Sequence, residues 1–223
     1  MTARLAGGLL IAAGLGYNLW IAAFVLDPEL SATRSYVSEL AADDAPHALL
    51  FRTVDLMVGV AAVAAALLIG RSGWRSLPRS GRYTVFALAL FGIGTIADVF
   101  LPLECGATRH PVCAAAEATG EVSVTHTLHL VSSTVANAAA LAFLLCLAVA
   151  LRPVHPRWIP QSALLTAAIS IAATAWIVVT VGLDESRSRV PLGVVQRAEL
   201  LAVGYALALV GALLRHRWRC DRR

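Results

Sequence analysis

Ionisable side chains interrupt long apolar runs of this chain at Arg52, Asp55, Asp98, His126, His129, Arg197 and Glu199. A charge inside a hydrocarbon-length helix costs at least a few kcal/mol unless it is paired or hydrated, so each position is a candidate for function. His126, His129, Ser133 and Asn137 follow an i, i+3, i+7, i+11 pattern, a polar stripe along one helical face. Two neutral imidazoles on one face, with oxygen from Asp98 or Glu199, would make a zinc site that keeps a position open for water. A metal so held acidifies its water into a nucleophile. The plainer reading makes the two histidines interfacial side chains bonded to carboxylates or water, and H-x-x-H here lacks the Glu of a zincin motif. Glu39 and Glu199 are the candidate general bases, and Ser38 completes the catalytic set. Arg52, Asp55 and Arg197 are the candidate substrate-binding residues. Arg52 and Asp55 stand at i,i+3 and can pair on one face, or the arginine can hold an anionic lipid headgroup.

The elements that must position these groups are membrane spans. The chain has 223 residues, 58% of them hydrophobic and 14% charged, with a mean hydropathy of +0.73. That is too apolar for an ordinary soluble domain. Six apolar runs, at 4–26, 49–70, 83–103, 124–151, 158–183 and 191–214, can each cross a core of roughly 30 Å, which takes about 20 helical residues. The first is read as a retained span, since its apolar run is too long for a signal peptide. The expected fold is all-α: one polytopic domain over residues 1–223, a six-transmembrane-helix bundle.

Every basic residue is Arg, and the arginines are unevenly placed. Arg4, the 71–82 loop, Arg152, Arg157 and the tail (Arg215, Arg217, Arg219, Arg222, Arg223) share one side, which the positive-inside rule makes cytoplasmic. Both termini are then inside. The opposite loops, 27–48, 104–123 and 184–190, carry Arg34, Arg109, Arg187 and Arg189 set among acids. The net charge of +4 is therefore a topological signal. No nucleic-acid partner is expected, only membrane lipid.

At about 1.5 Å of rise per residue, Asp55, Asp98, His126, His129, Arg197 and Glu199 all fall within about 12 Å of the outer surface. The expectation is that Arg52, Asp55, Asp98, His126, His129 and Glu199 line one outward-facing cavity. A second stripe, Ser162, Thr166, Ser170 and Thr174, reads as helix packing with hydroxyls bonded back to the helix carbonyls. Cys105 and Cys113 sit in the second outer loop, an oxidising compartment, so a disulfide is favoured there over a Cys-His-Cys metal site. Cys146 and Cys220 have no evident partner and read as inert thiols.

The element Ser35-Tyr36-Val37-Ser38-Glu39-Leu40, followed by Ala45-Pro46 and Phe51, resembles the bacterial integral-membrane family catalogued as domain of unknown function 998. The likeness continues at Phe100-Leu101-Pro102 and at the histidine opening the fourth span, and covers about residues 5 to 215. Ala41 stands where the family usually has glycine. The resemblance implies a six-helix bundle without an established activity, in a bacterial plasma membrane. By chemistry alone, the intramembrane Ser, Asp and His are similar to those of ceramidase and progestin-receptor-like hydrolases, which use three histidines; His47 or His110 would have to fold inward to supply the third. The function expected is a metal-dependent hydrolase of an outer-leaflet lipid or amphiphile, with zinc as its cofactor. The alternative is a transporter or accessory subunit whose buried charges serve packing or ligand binding. A transporter needs a polar path through both leaflets, and the inner halves of the runs have almost no ionisable groups.

Overall fold

The computed structural model describes residues 2–182 and 191–220. Among them are the α-helices Thr2–Gly16 (α1), Ala23–Leu26 (α2), Ala48–Gly73 (α3), Arg79–Phe100 (α4), Pro111–Thr119 (α5), Val124–Ala150 (α6), Trp158–Gly182 (α7) and Leu192–Cys220 (α8). No strand occurs among the described residues. Six stretches are long and apolar enough to cross a membrane, α1 and α2 together forming the first. The chain is a multi-pass membrane protein of all-α architecture. The loop expected at 184–190, with Arg187 and Arg189, lies outside the described residues, as do Asp221, Arg222 and Arg223.

The spans form a closed ring in chain order. α1 packs on α3, α3 on α4, α4 on α6, α6 on α7, α7 on α8, and α8 returns to α1. The short α3–α4 and α6–α7 turns make the helices they join antiparallel, and the α8–α1 contact closes the circle. The sixth span thus seals against the first and fifth.

Small residues set how closely the ring closes. A Cβ added to Gly92 would lie 2.7 Å from Gly59 O and 3.0 Å from the Val63 nitrogen. One added to Gly7 would lie 2.6 Å from Gly211 O, and one on Gly94 would lie 2.9 Å from the Ala136 Cα. Water drives no association between helices in lipid, so close van der Waals approach through small residues replaces it. The core inside these seams holds Leu10, Val58, Leu88, Phe91, Phe143, Leu144 and Leu207. Large apolar side chains such as Phe86, Leu164 and Val178 point outward, toward lipid.

The two ends of the ring differ. One carries the arginines and tight turns: Arg82 closes the α3–α4 turn by donating from Nε to Trp74 O and Leu77 O, both at 3.1 Å. The other carries two long loops folded into a cap. A 3₁₀ turn at Val37–Ala41 lies across this end, over the inner cluster of Trp20, Leu40 and Phe51. The 104–123 loop, read from sequence as irregular, contains α5, with Pro111 in its first turn and Gly120 at φ 72° beyond its end. Proline suits a helix start and left-handed glycine a helix stop. The expected Cys105–Cys113 disulfide is present, its Cα atoms 6.1 Å apart.

Candidate functional site

The cap is locked by polar contacts that connect segments far apart in sequence. Glu39, buried in the 3₁₀ turn, accepts from Thr108 Oγ1 at 2.6 Å and from the Tyr36 backbone N–H at 3.4 Å. Thr108 is also hydrogen-bonded to Ser35 Oγ at 2.5 Å, and Arg109 pairs with buried Asp27. Asp44 accepts from the Gly106 N–H at 3.2 Å and faces His110 at 3.3 Å. Burial pushes the Glu39 carboxyl above its ordinary range, opposed in part by Thr108, the Tyr36 amide and Arg109. At the foot of the second loop, Glu104 accepts from the Ser123 N–H, which holds that exposed carboxyl below its usual range.

Arg197 belongs to this cap as well. Its Nη1 donates to Ala32 O and Ser35 O, both at 2.9 Å, and to Gly193 O at 3.1 Å. The guanidinium also lies 5.6 Å from the centre of the Trp20 ring. Arg52 reaches up rather than down, with Nε donating to Ala41 O at 2.7 Å and Nη2 to Asp43 Oδ1 at 2.6 Å. The expected Arg52–Asp55 ion pair is therefore absent. The long arginine side chain snorkels to the partly exposed cap, where carboxylate and carbonyl acceptors are available.

Beneath the cap, inside the ring, lies a cavity of about 150 Å³. It is lined by Trp20, Ser38 and Phe51 near the cap, with Tyr17, whose ring meets Phe91 edge-on, and Asp55, Thr95, Asp98, Ser133, Asn137 and Gln196, from five different spans. No Arg or His is among the described residues lining it. Asp55 has no hydrogen-bond or ion-pair partner among the described residues. Gln196 is oriented by the cap: its Oε1 accepts the Val37 N–H at 2.6 Å, so its amide N–H groups face the other way.

Asp98 is held by two serines of α6, Ser132 on Oδ1 and Ser133 on Oδ2 at 3.0 Å. Ser133 Oγ also lies 3.2 Å from His129 Nε2. His129 Nδ1 is 2.7 Å from Leu101 O and 3.9 Å from Asp98 Oδ1. A carbonyl only accepts, so Nδ1 carries hydrogen and, in the neutral ring, Nε2 is the acceptor.

Of the six residues expected around one cavity, Asp55 and Asp98 line it. His129 stands just behind Ser133. His126 turns away, with Nε2 3.1 Å from Glu117 Oε1 on α5, because the unforeseen helix brings a carboxylate over it. Glu199 sits between α6, α7 and α8, accepting from Thr174 at 3.1 Å and bonded to Asn137. Asp98, His126 and His129 are thus not gathered around one point, and no group of three or more His, Cys, Asp or Glu suited to a metal occurs among the described residues. Of the catalytic candidates, Ser38 lines the cavity, Glu39 serves the cap and Glu199 lies behind Asn137. The fifth-span stripe is divided. Ser162 and Thr166 bond back to helix carbonyls at 2.9 Å, Thr174 reaches Glu199, and buried Ser170 Oγ has no partner among the described residues.

Sequence reasoning missed Tyr17, Thr95 and Gln196, whose types are unremarkable in an apolar helix. Ser133 and Asn137 were visible in the α6 stripe. The fold and site define a six-span membrane protein with an acidic, aromatic-walled cavity beneath a cap of folded loops. A family model described as "Protein of unknown function (DUF998)" matches residues 10–213, and the chain belongs to that family. No curated protein and no solved structure matches it.

Proposed function

We propose that the protein binds an alkylammonium group in this cavity, as the free cation or as the head of an amphiphile. Its working position is a bacterial plasma membrane, with both termini cytoplasmic and the capped end outward, in keeping with the arginine asymmetry. The observation that carries the reading is Asp55, a carboxylate at membrane depth with no partner among the described residues, in a cavity that also holds Asp98 and has no basic side chain among its described lining residues. A charge so placed is tolerated when a counter-ion or a proton joins it. The aromatic rings of Tyr17, Trp20 and Phe51 on the same walls supply the π faces that favour quaternary ammonium groups, although Arg197 already covers one face of Trp20. The volume suits a small headgroup, with room for a short acyl group rather than a long chain.

The test is thermal unfolding of the detergent-purified protein in tetramethylammonium chloride, against sodium chloride at equal ionic strength. At ten times Kd, linkage gives about 1.4 kcal/mol, a rise of about 3–6 °C for a chain of this size. Asp55→Asn should abolish the rise, and Glu29→Gln, on the exposed loop, should keep it. A rise equal in wild type and Asp55→Asn, or no rise in either, contradicts the reading.

A further inference from the structure

We propose that Ser133 is the nucleophile, and His129 the general base, of an acyl-transfer site that hydrolyses a carboxylic ester carrying the alkylammonium group; this rests on the cavity being the ligand site proposed above. Ser133 lines the cavity, and its Oγ is 3.2 Å from His129 Nε2. The Leu101 carbonyl, 2.7 Å from Nδ1, fixes the tautomer in which Nε2 is free to take a proton. That is the orienting task a carboxylate performs in a Ser-His-Asp triad. The electrostatic task falls to Asp98, whose Oδ1 is 3.9 Å from His129 Nδ1, close enough to stabilise an imidazolium as it forms. Three groups thus divide the work that two perform in the familiar arrangement.

The step balances with water as co-reactant. The Ser133 hydroxyl rotates from Asp98 Oδ2, to which it donates at 3.0 Å, toward His129 Nε2, and its Oγ attacks the ester carbonyl carbon as its proton passes to that nitrogen. The carbonyl oxygen becomes an oxyanion, and Gln196, with its Oε1 turned to Val37, has amide hydrogens to offer it. Collapse breaks the bond to the alcohol oxygen, which leaves with the proton from His129. Water then gives a proton to His129 and adds to the acyl-serine. The second collapse returns that proton to Ser133 and releases the carboxylic acid. Asp55, in the same cavity, would hold the ammonium end of the ester.

The experiment is labelling of the purified full chain with a fluorophosphonate, which forms an Oγ–P bond and expels fluoride, read by mass spectrometry of the α6 peptide. The wild type should be labelled at Ser133, and Ser133→Ala should not. His129→Gln should react about a hundredfold more slowly, within the range a general base contributes. Thr134→Ala, one residue along on the exposed face, should match the wild type. The tetramethylammonium melting shift, read on the same preparations, shows that each variant is folded and separates the two proposals. A wild type that shows the shift but takes no label overturns acyl transfer and leaves the binding reading standing. Label on another residue, or His129→Gln labelled as fast as the wild type, also overturns it. Label at Ser133 without a melting shift overturns the ammonium reading and the ammonium ester with it, and leaves only Ser133 and His129 as an acylation pair.

Discussion

Glu39 illustrates how a single side chain can tie surface chemistry to the buried cavity. It is 1% exposed, and its carboxylate meets the Thr108 hydroxyl and the backbone amides of Tyr36 and Thr108, with the Arg109 charge nearby. Burial raises its folded-state pKa above that of a free glutamate carboxyl. In the window from that value upward, the folded cap holds a proton that the opened cap has released. Stability therefore falls as pH rises through the window, and the loss is complete above the folded pKa. Hydrogen exchange across residues 105–113 should accordingly be slower, relative to an unstructured peptide, near pH 4 than near pH 7. Glu39→Gln should flatten that difference, and an unchanged pH dependence in Glu39→Gln would assign it to another group. The Ser-Glu-Leu element was conspicuous in the sequence because it puts polar residues beside a span. Its partner Thr108 was not, since a threonine in a loop 69 positions away gives no sign of what it touches.

The elements were legible to the extent that hydropathy decides them. The run read at 49–70 became Ala48–Gly73 and the run at 124–151 became Val124–Ala150, since lipid enforces helix over any long apolar stretch. What hydropathy does not encode is a short amphipathic helix outside the membrane. α5 was read as loop, and with it went the Glu117 that draws His126 out of the expected cluster. Nor does it encode which helix faces touch. The Gly59–Gly92 contact, where each added Cβ meets the partner backbone, emerges only from the packed pair. Backbone cannot retreat as a flexible side chain can, so Gly92→Ala should destabilise by about 1–3 kcal/mol. Gly70→Ala, where nothing lies within 4 Å, should be neutral or stabilising, because alanine is the better helix former. Thermal or denaturant unfolding in the same detergent checks both, and equal effects would mean that the α3–α4 seam is looser than described.

At the scale of the whole molecule, a ring closed by α8 on α1 creates an interior, and the cap closes one end of it. The polar residues read from sequence as one layer do lie toward that end, because helical rise fixes depth whatever the packing. Depth alone leaves the azimuth open. Two groups at one depth meet only if their helices turn the same faces inward, which separates Asp55 and Asp98 from His126 and Glu199. Arg52 and Arg197 escaped the same prediction because long side chains can climb to the cap. The central proposal is that Asp55 faces a cavity reached through the cap, with that end outward. Its most direct test starts from a Cys146→Ser/Cys220→Ser background, with Asp55→Cys introduced and treated in intact cells with a membrane-impermeant, cationic methanethiosulfonate. The account predicts modification of position 55 before permeabilisation, slowed by tetramethylammonium, and none at Val60→Cys, which faces lipid. Modification of position 55 only after the cells are opened, or at the same rate as Val60→Cys, would contradict it.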